Sequence, residues 1–127
     1  MDKAALVSID IDRGAQVLDT LDRAGLKLAV ALWVHLSEYE DWRLVVSGRK
    51  LDSVNRRDGY GLIHQALDPA GFTAYTTPII MILPMADPFI KGLRRIFAKA
   101  KSVEGMRLGG QMIGDRFIED GYAYRIS

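Results

Sequence analysis

Apolar positions recur along the chain first at helical spacing, then at alternating spacing. In "SIDIDRGAQVLDTLDRAG", Ile11, Ala15, Leu18 and Leu21 fall three or four residues apart. Ser8 is placed to cap a first helix and Gly25 to stop it. From Lys27 the period drops to two. Leu28, Val30, Leu32, Val34 and Leu36 share one face of a strand, and Trp42, Leu44 and Val46 continue the pattern in a second. The polar stretch "SEYED" between them predicts a hairpin with a long loop. If Leu36 opposes Trp42, then Trp33 faces Val45 and His35 faces Arg43 on the other side. Glu38, Glu40 and Asp41 then lie at the solvated tip.

A second helix is predicted over residues 52–68, capped by Asp52 or Ser53, with a stripe of Tyr60, Ile63 and Leu67 and a close at Pro69 and Gly71. Gly59 and Gly61 each lower helix propensity by about 1 kcal/mol relative to alanine. They predict either a later start or a neighbour that approaches closely. "TTPIIMILP" is short and continuously apolar, as in a strand buried on both faces. Asp87 followed by Pro88 marks a helix start. "PFIKGLRRIFAKAKS" would bury Phe89 or Ile90, Leu93, Ile96, Phe97 and Ala100. In the last segment a turn at Gly114–Asp115 joins two strands, Asp120–Gly121 suggests a bulge, and Tyr122, Tyr124 and Ile126 alternate. The order αββαβαββ predicts an α+β fold: a mostly antiparallel sheet of about five strands, with three helices on one face.

Composition narrows this further. A chain of 127 residues with 49% hydrophobic and 26% charged residues fits a single globular domain spanning 1–127. The net charge of +1 gives no general attraction to nucleic acid or membrane, so any basic site must be local. The absence of cysteine removes disulfides, thiolate metal sites and a cysteine nucleophile. "MDKAALVSIDIDRG" shows no secretion signal, and the longest apolar run, "PIIMILP", is far short of a bilayer span of about 20 residues. The expectation is a cytoplasmic protein without a membrane partner.

The familiar catalytic constellations are missing. With only His35 and His64, the chain has no Gly-x-Ser-x-Gly elbow and no His-Glu-x-x-His motif. "GYGLIH" lacks the Lys-Ser/Thr of a phosphate loop, and "GMRLGGQMIGD" precedes a strand rather than opening a helix. No cofactor is expected. Three weaker signals remain. Asp10, Asp12, Glu38, Glu40, Asp41, Glu119 and Asp120 could supply oxygen ligands to a magnesium ion, although Asp10 and Asp12 are explained more simply by a helix dipole. Lys91, Arg94, Arg95, Lys99 and Lys101 decorate the third helix, with Arg56 and Arg57 as candidates to join them. Such a face could track phosphates, or be no more than a solvated helix face. Trp33, His35 and Arg43 on one sheet face could anchor an interface, a homodimer first, or form the floor under a packed helix.

"LDRAGLKLAVALWVHLSEYEDWRLVVSGRKLD", together with the ending "FIEDGYAYRI", resembles a group of small uncharacterised bacterial proteins. That resemblance implies a bacterial, cytoplasmic origin and carries over no catalytic or ligand residue. The first functional expectation is therefore a non-catalytic interaction or accessory module, acting on a protein partner or on itself. The alternative is a nucleic-acid or phosphate binder using the helix over residues 88–101, and the weakest is a metal-dependent enzyme built on the acidic residues.

Overall fold

The computed structural model describes residues 6–127; residues 1–5, part of the stretch read for a leader, lie outside it. The fold is α+β, as the patterning predicts, with four α-helices and a six-stranded, mostly antiparallel sheet among the described residues. In chain order these are α1 (Ser8–Arg23), β1 (Val30–Leu36), β2 (Arg43–Ser47), α2 (Arg49–Asp52), α3 (Arg56–Leu67), β3 (Ile80–Ile82), α4 (Pro88–Ile96), β4 (Arg107–Leu108), β5 (Gln111–Ile113) and β6 (Arg116–Ile126). The strands lie in the order β3-β2-β1-β6-β4, and β5 also pairs with β6. No described helix is long and apolar enough to cross a membrane.

Helices cover both faces of this sheet, not one. On one side Val17, Leu18 and Leu21 of α1, Leu51 of α2, and Ile63 and Leu67 of α3 pack on Ala31, Trp33, Trp42, Leu44 and Val46. On the other, Phe89, Ile90 and Leu93 of α4 pack with Val30, Leu32, Val34, Leu36, Val45, Ile113 and Ile118. Each of those three α4 side chains is fully buried, worth about 1.5–3 kcal/mol apiece.

Double-sided burial explains the register of the hairpin. β1 pairs β2 with Leu32 opposite Val45, Trp33 opposite Leu44 and Val34 opposite Arg43, one residue away from the register that sets Leu36 against Trp42. A strand apolar on both faces does not fix its own register, because a slip moves one apolar set onto another apolar face.

Helix boundaries shift for local reasons. α1 begins after Val7 rather than on a Ser8 cap, and its buried positions are Asp10, Gly14, Val17, Leu18 and Leu21, with Ala15 exposed. Asp10 Oδ2 accepts the Val7 N–H at 3.2 Å, so this carboxylate serves the helix start. The helix expected over 52–68 starts late, as α3 at Arg56, after a separate short helix, α2, that ends at Asp52. Asn55 Oδ1 accepts the Asp58 N–H at 2.8 Å and caps α3, while Asp52 accepts the N–H of Met85. The Asp87 cap is as expected, with Oδ1 accepting from Phe89 N–H at 2.9 Å. α4 nevertheless stops at Ile96, which is left exposed, as is Ala100.

The run "PIIMILP" forms an edge strand, not a doubly buried one: β3 runs parallel to β2, and Ile79 and part of Ile80 and Met81 reach solvent. A parallel neighbour needs a long crossover, which α2 and α3 supply. β6 carries two irregularities, at Glu119 and Tyr124 rather than at Asp120–Gly121. His35 pairs Asp120 and Leu36 pairs Ile118; Ala31 pairs Arg125 and Leu32 pairs Ala123. The second bulge turns two successive side chains onto α1. Tyr124 donates its hydroxyl to Ile11 O at 2.6 Å, and Arg125 forks onto Asp22 at 2.7 and 3.1 Å.

Candidate functional site

Two surfaces gather chemistry, one at each end of β1. At its start, the loop joining α1 to β1 presses on the junction between β2 and α2. A Cβ on Gly48 would stand 3.2 Å from the carbonyl oxygen of Lys27, and Lys27 itself takes a left-handed backbone with φ of 50°. This close crossing brings Lys27 beside Arg49 and Lys50. The C-terminal end of α4 adds Arg94, whose Nε donates to the main-chain oxygen of Ser127 at 2.8 Å. Lys27, Arg49, Lys50 and Arg94 line a depression of about 370 Å³. A second depression, of about 620 Å³, shares Arg94 and Ser127 with it and adds Arg95 and Lys101. All six side chains are exposed, no carboxylate side chain lines either depression, and none of the six makes an ion pair among the described residues.

The basic set expected from α4 is thus only partly assembled. Arg94, Arg95 and Lys101 come together, while Lys91 and Lys99 line neither depression. Arg56 and Arg57 begin α3, which packs on the opposite face of the sheet from α4. Nothing in the sequence connects Lys27, Arg49 and Lys50 to residue 94.

At the other end of β1, the hairpin loop, the first turns of α1 and residues 75–79 enclose a cleft of about 210 Å³ lined by Asp10, Arg13, Trp33, Asp41, Trp42 and Tyr75, among others. Its floor is two indoles that are each 4% exposed. Trp33 Nε1 donates to Tyr124 Oη at 2.9 Å, whereas Trp42 Nε1 is buried without a hydrogen-bond partner. An unsatisfied buried donor costs about 1–3 kcal/mol. Burial pushes the Tyr124 phenol up to about 12, with the hydrogen bond from Trp33 pulling the other way. At the rim, Tyr75 is 95% exposed, held out by a turn in which the Thr77 hydroxyl donates to Thr73 O at 2.6 Å.

Trp33, His35 and Arg43 do not form a common face. Trp33 and His35 point toward α1 and Trp42, the His35 and Trp42 ring centroids being 5.7 Å apart. Arg43, opposite Val34, projects to the other side and lies 3.8 Å over the Tyr39 ring. His35 is held from both sides, by Glu119 at 2.8 Å on Nδ1 and by the Glu40 carbonyl at 3.1 Å on Nε2.

The acidic residues disperse likewise. Glu38 pairs with Arg116, Glu119 with His35 and Asp120 with Arg107. Among the described residues no three His, Asp or Glu side chains group closely enough to hold a metal ion. Asp41 is the hairpin-tip acid that faces a cleft.

No protein-family model, curated protein or solved structure matches the chain.

Proposed function

We propose that this protein binds the phosphate backbone of nucleic acid on the basic surface centred on Arg94. The observation that carries the reading is the convergence of six cations, from α1's exit, α2, α4 and the segment after it, on two adjoining depressions without a carboxylate side chain between them. On a chain of net charge +1, such separation makes a local positive field that the whole molecule lacks. Exposed guanidinium and ammonium groups with no carboxylate side chain as partner suit phosphate oxygens, and little else in the two depressions reads bases.

Fluorescence anisotropy of a mixed-sequence single strand and a duplex, across a salt series, tests this. Full engagement of the surface gives log K against log salt a slope near −4 for the single strand, about 0.7 per phosphate neutralised. Arg94→Glu with Arg95→Glu abolishes binding while the fold persists, because both side chains are exposed. Absence of binding at low salt, or binding indifferent to that double reversal, removes the reading.

A second reading, an interaction module that associates with a second copy of itself, has one observation in its favour. Met112 and Phe117 sit directly opposite each other on the outer face of the β5–β6 hairpin, 60% and 39% exposed. The Trp33 face first considered for that role lies beneath α1. Sedimentation equilibrium of the protein and of Phe117→Lys decides it: a monomer at all concentrations ends the reading.

A further inference from the structure

We propose that the cleft at the hairpin end is a site for a free α-amino acid with a large apolar side chain. The argument begins with charge. Arg13 and Asp41 both line the cleft, and neither side chain makes an ion pair or a hydrogen bond among the described residues. They are not paired with each other. An unpaired cation and an unpaired anion beside one small cavity are satisfied together by a ligand carrying both charges, and only half satisfied by a ligand carrying one. Asp10 does not compete for the ammonium role on equal terms, because its carboxylate already accepts the Val7 N–H. Asp41 takes the ammonium and Arg13 the carboxylate, for which a guanidinium fork is the fitting partner.

The floor sets the rest of the ligand. Trp33 and Trp42 both line it, so a ligand there meets indole rings. Such a floor favours an apolar side chain. Size limits the choice: about 210 Å³ lies below the ~300–1,000 Å³ of pockets that take drug-sized molecules. One amino acid fits there, whereas a folded peptide or a nucleotide does not. Tyr75, exposed at the rim, is placed for its ring to lie along such a side chain. The site is separate from the basic surface and does not depend on it.

Isothermal titration calorimetry of the full chain with L-phenylalanine and L-leucine tests the proposal, against two phenylalanine analogues that each lack one charge, 3-phenylpropionate and phenethylamine. Binding of L-phenylalanine at least tenfold tighter than either analogue is expected. Asp41→Asn erases the preference over 3-phenylpropionate, because the ammonium no longer has its partner. Arg13→Gln erases the preference over phenethylamine for the complementary reason. Thermal melts of both variants confirm that they remain folded. Failure of both amino acids to bind at millimolar concentration overturns the proposal. Equal binding of amino acid and analogues reduces the site to an apolar hollow and overturns it too, as does unchanged affinity in folded Asp41→Asn and Arg13→Gln.

Discussion

A Cβ placed on Gly14 would collide with the Tyr124 hydroxyl and stand 2.7 Å from Trp33 Nε1. This glycine in the middle of α1 is therefore the gap through which β6 reaches the helix: Tyr124 passes there to donate to Ile11 O while receiving the Trp33 N–H. Helix propensity alone says that Gly14→Ala should stabilise by about 1 kcal/mol. Overpacking of about 1–3 kcal/mol, added to the disturbed hydrogen bonds at about 0.5–1.5 kcal/mol each, opposes it. The clash wins, and Gly14→Ala lowers stability by about 1–5 kcal/mol in urea unfolding. A gain instead would show that the tyrosine and the helix do not meet as closely as the structure has them. The same phenol titrates in a distinctive range. Its pKa rises from 10.0 in the unfolded chain to about 12 in the fold, so the unfolded state loses its proton first. The contribution to stability is complete below about pH 10 and is lost as pH climbs through 12. Melting temperatures taken from pH 8 to 12 should fall more steeply in wild type than in Tyr124→Phe, and parallel curves would contradict the assignment.

At the scale of elements, what the sequence reveals depends on whether local chemistry or packing sets the boundary. Asp87–Pro88 starts α4 because the cap lies within two residues of the N–H it satisfies, and that start is legible. The end is not: apolar residues continue through Phe97 and Ala100, and no glycine or proline follows until Gly105. α4 ends where its apolar side chains leave the sheet, with Ile96 already in solvent. The Asn55 cap is masked in the sequence by Asp52 and Ser53, which stand close by with the same chemistry, and Asp52 serves Met85 instead. β1 misled for the opposite reason. "VALWVHL" is apolar on both faces, so alternation names two faces without saying which one pairs with which partner. The slip by one residue separates Arg43 from Trp33 and dissolves the interface face drawn from the sequence. The functional surfaces follow the same division. Arg94, Arg95 and Lys101 were legible because they lie close together in sequence; Lys27, Arg49 and Lys50 join them through the Gly48 crossing, which no spacing rule encodes.

The whole molecule sets the two candidate surfaces at opposite ends of the same elements, and that separation has a consequence. β1 runs seven residues from the basic end to the hairpin end, about 20 Å at a rise near 3.3 Å per residue. α1 runs alongside it, with Arg13 at the cleft and Lys27 just past its far end. Near 0.15 M salt the screening length is about 8 Å, so charges at one end are felt only weakly at the other. Packing offers no obvious alternative route, since β1 is held between β2 and β6 with six of its seven residues buried. Coupling between the sites, if present, would have to be reciprocal. The expectation is independence. Arg94→Glu with Arg95→Glu leaves amino-acid affinity within about twofold of wild type, and saturating L-phenylalanine leaves the salt slope of nucleic-acid binding unchanged. A shift in both measurements by the same factor would show instead that the two sites are coupled.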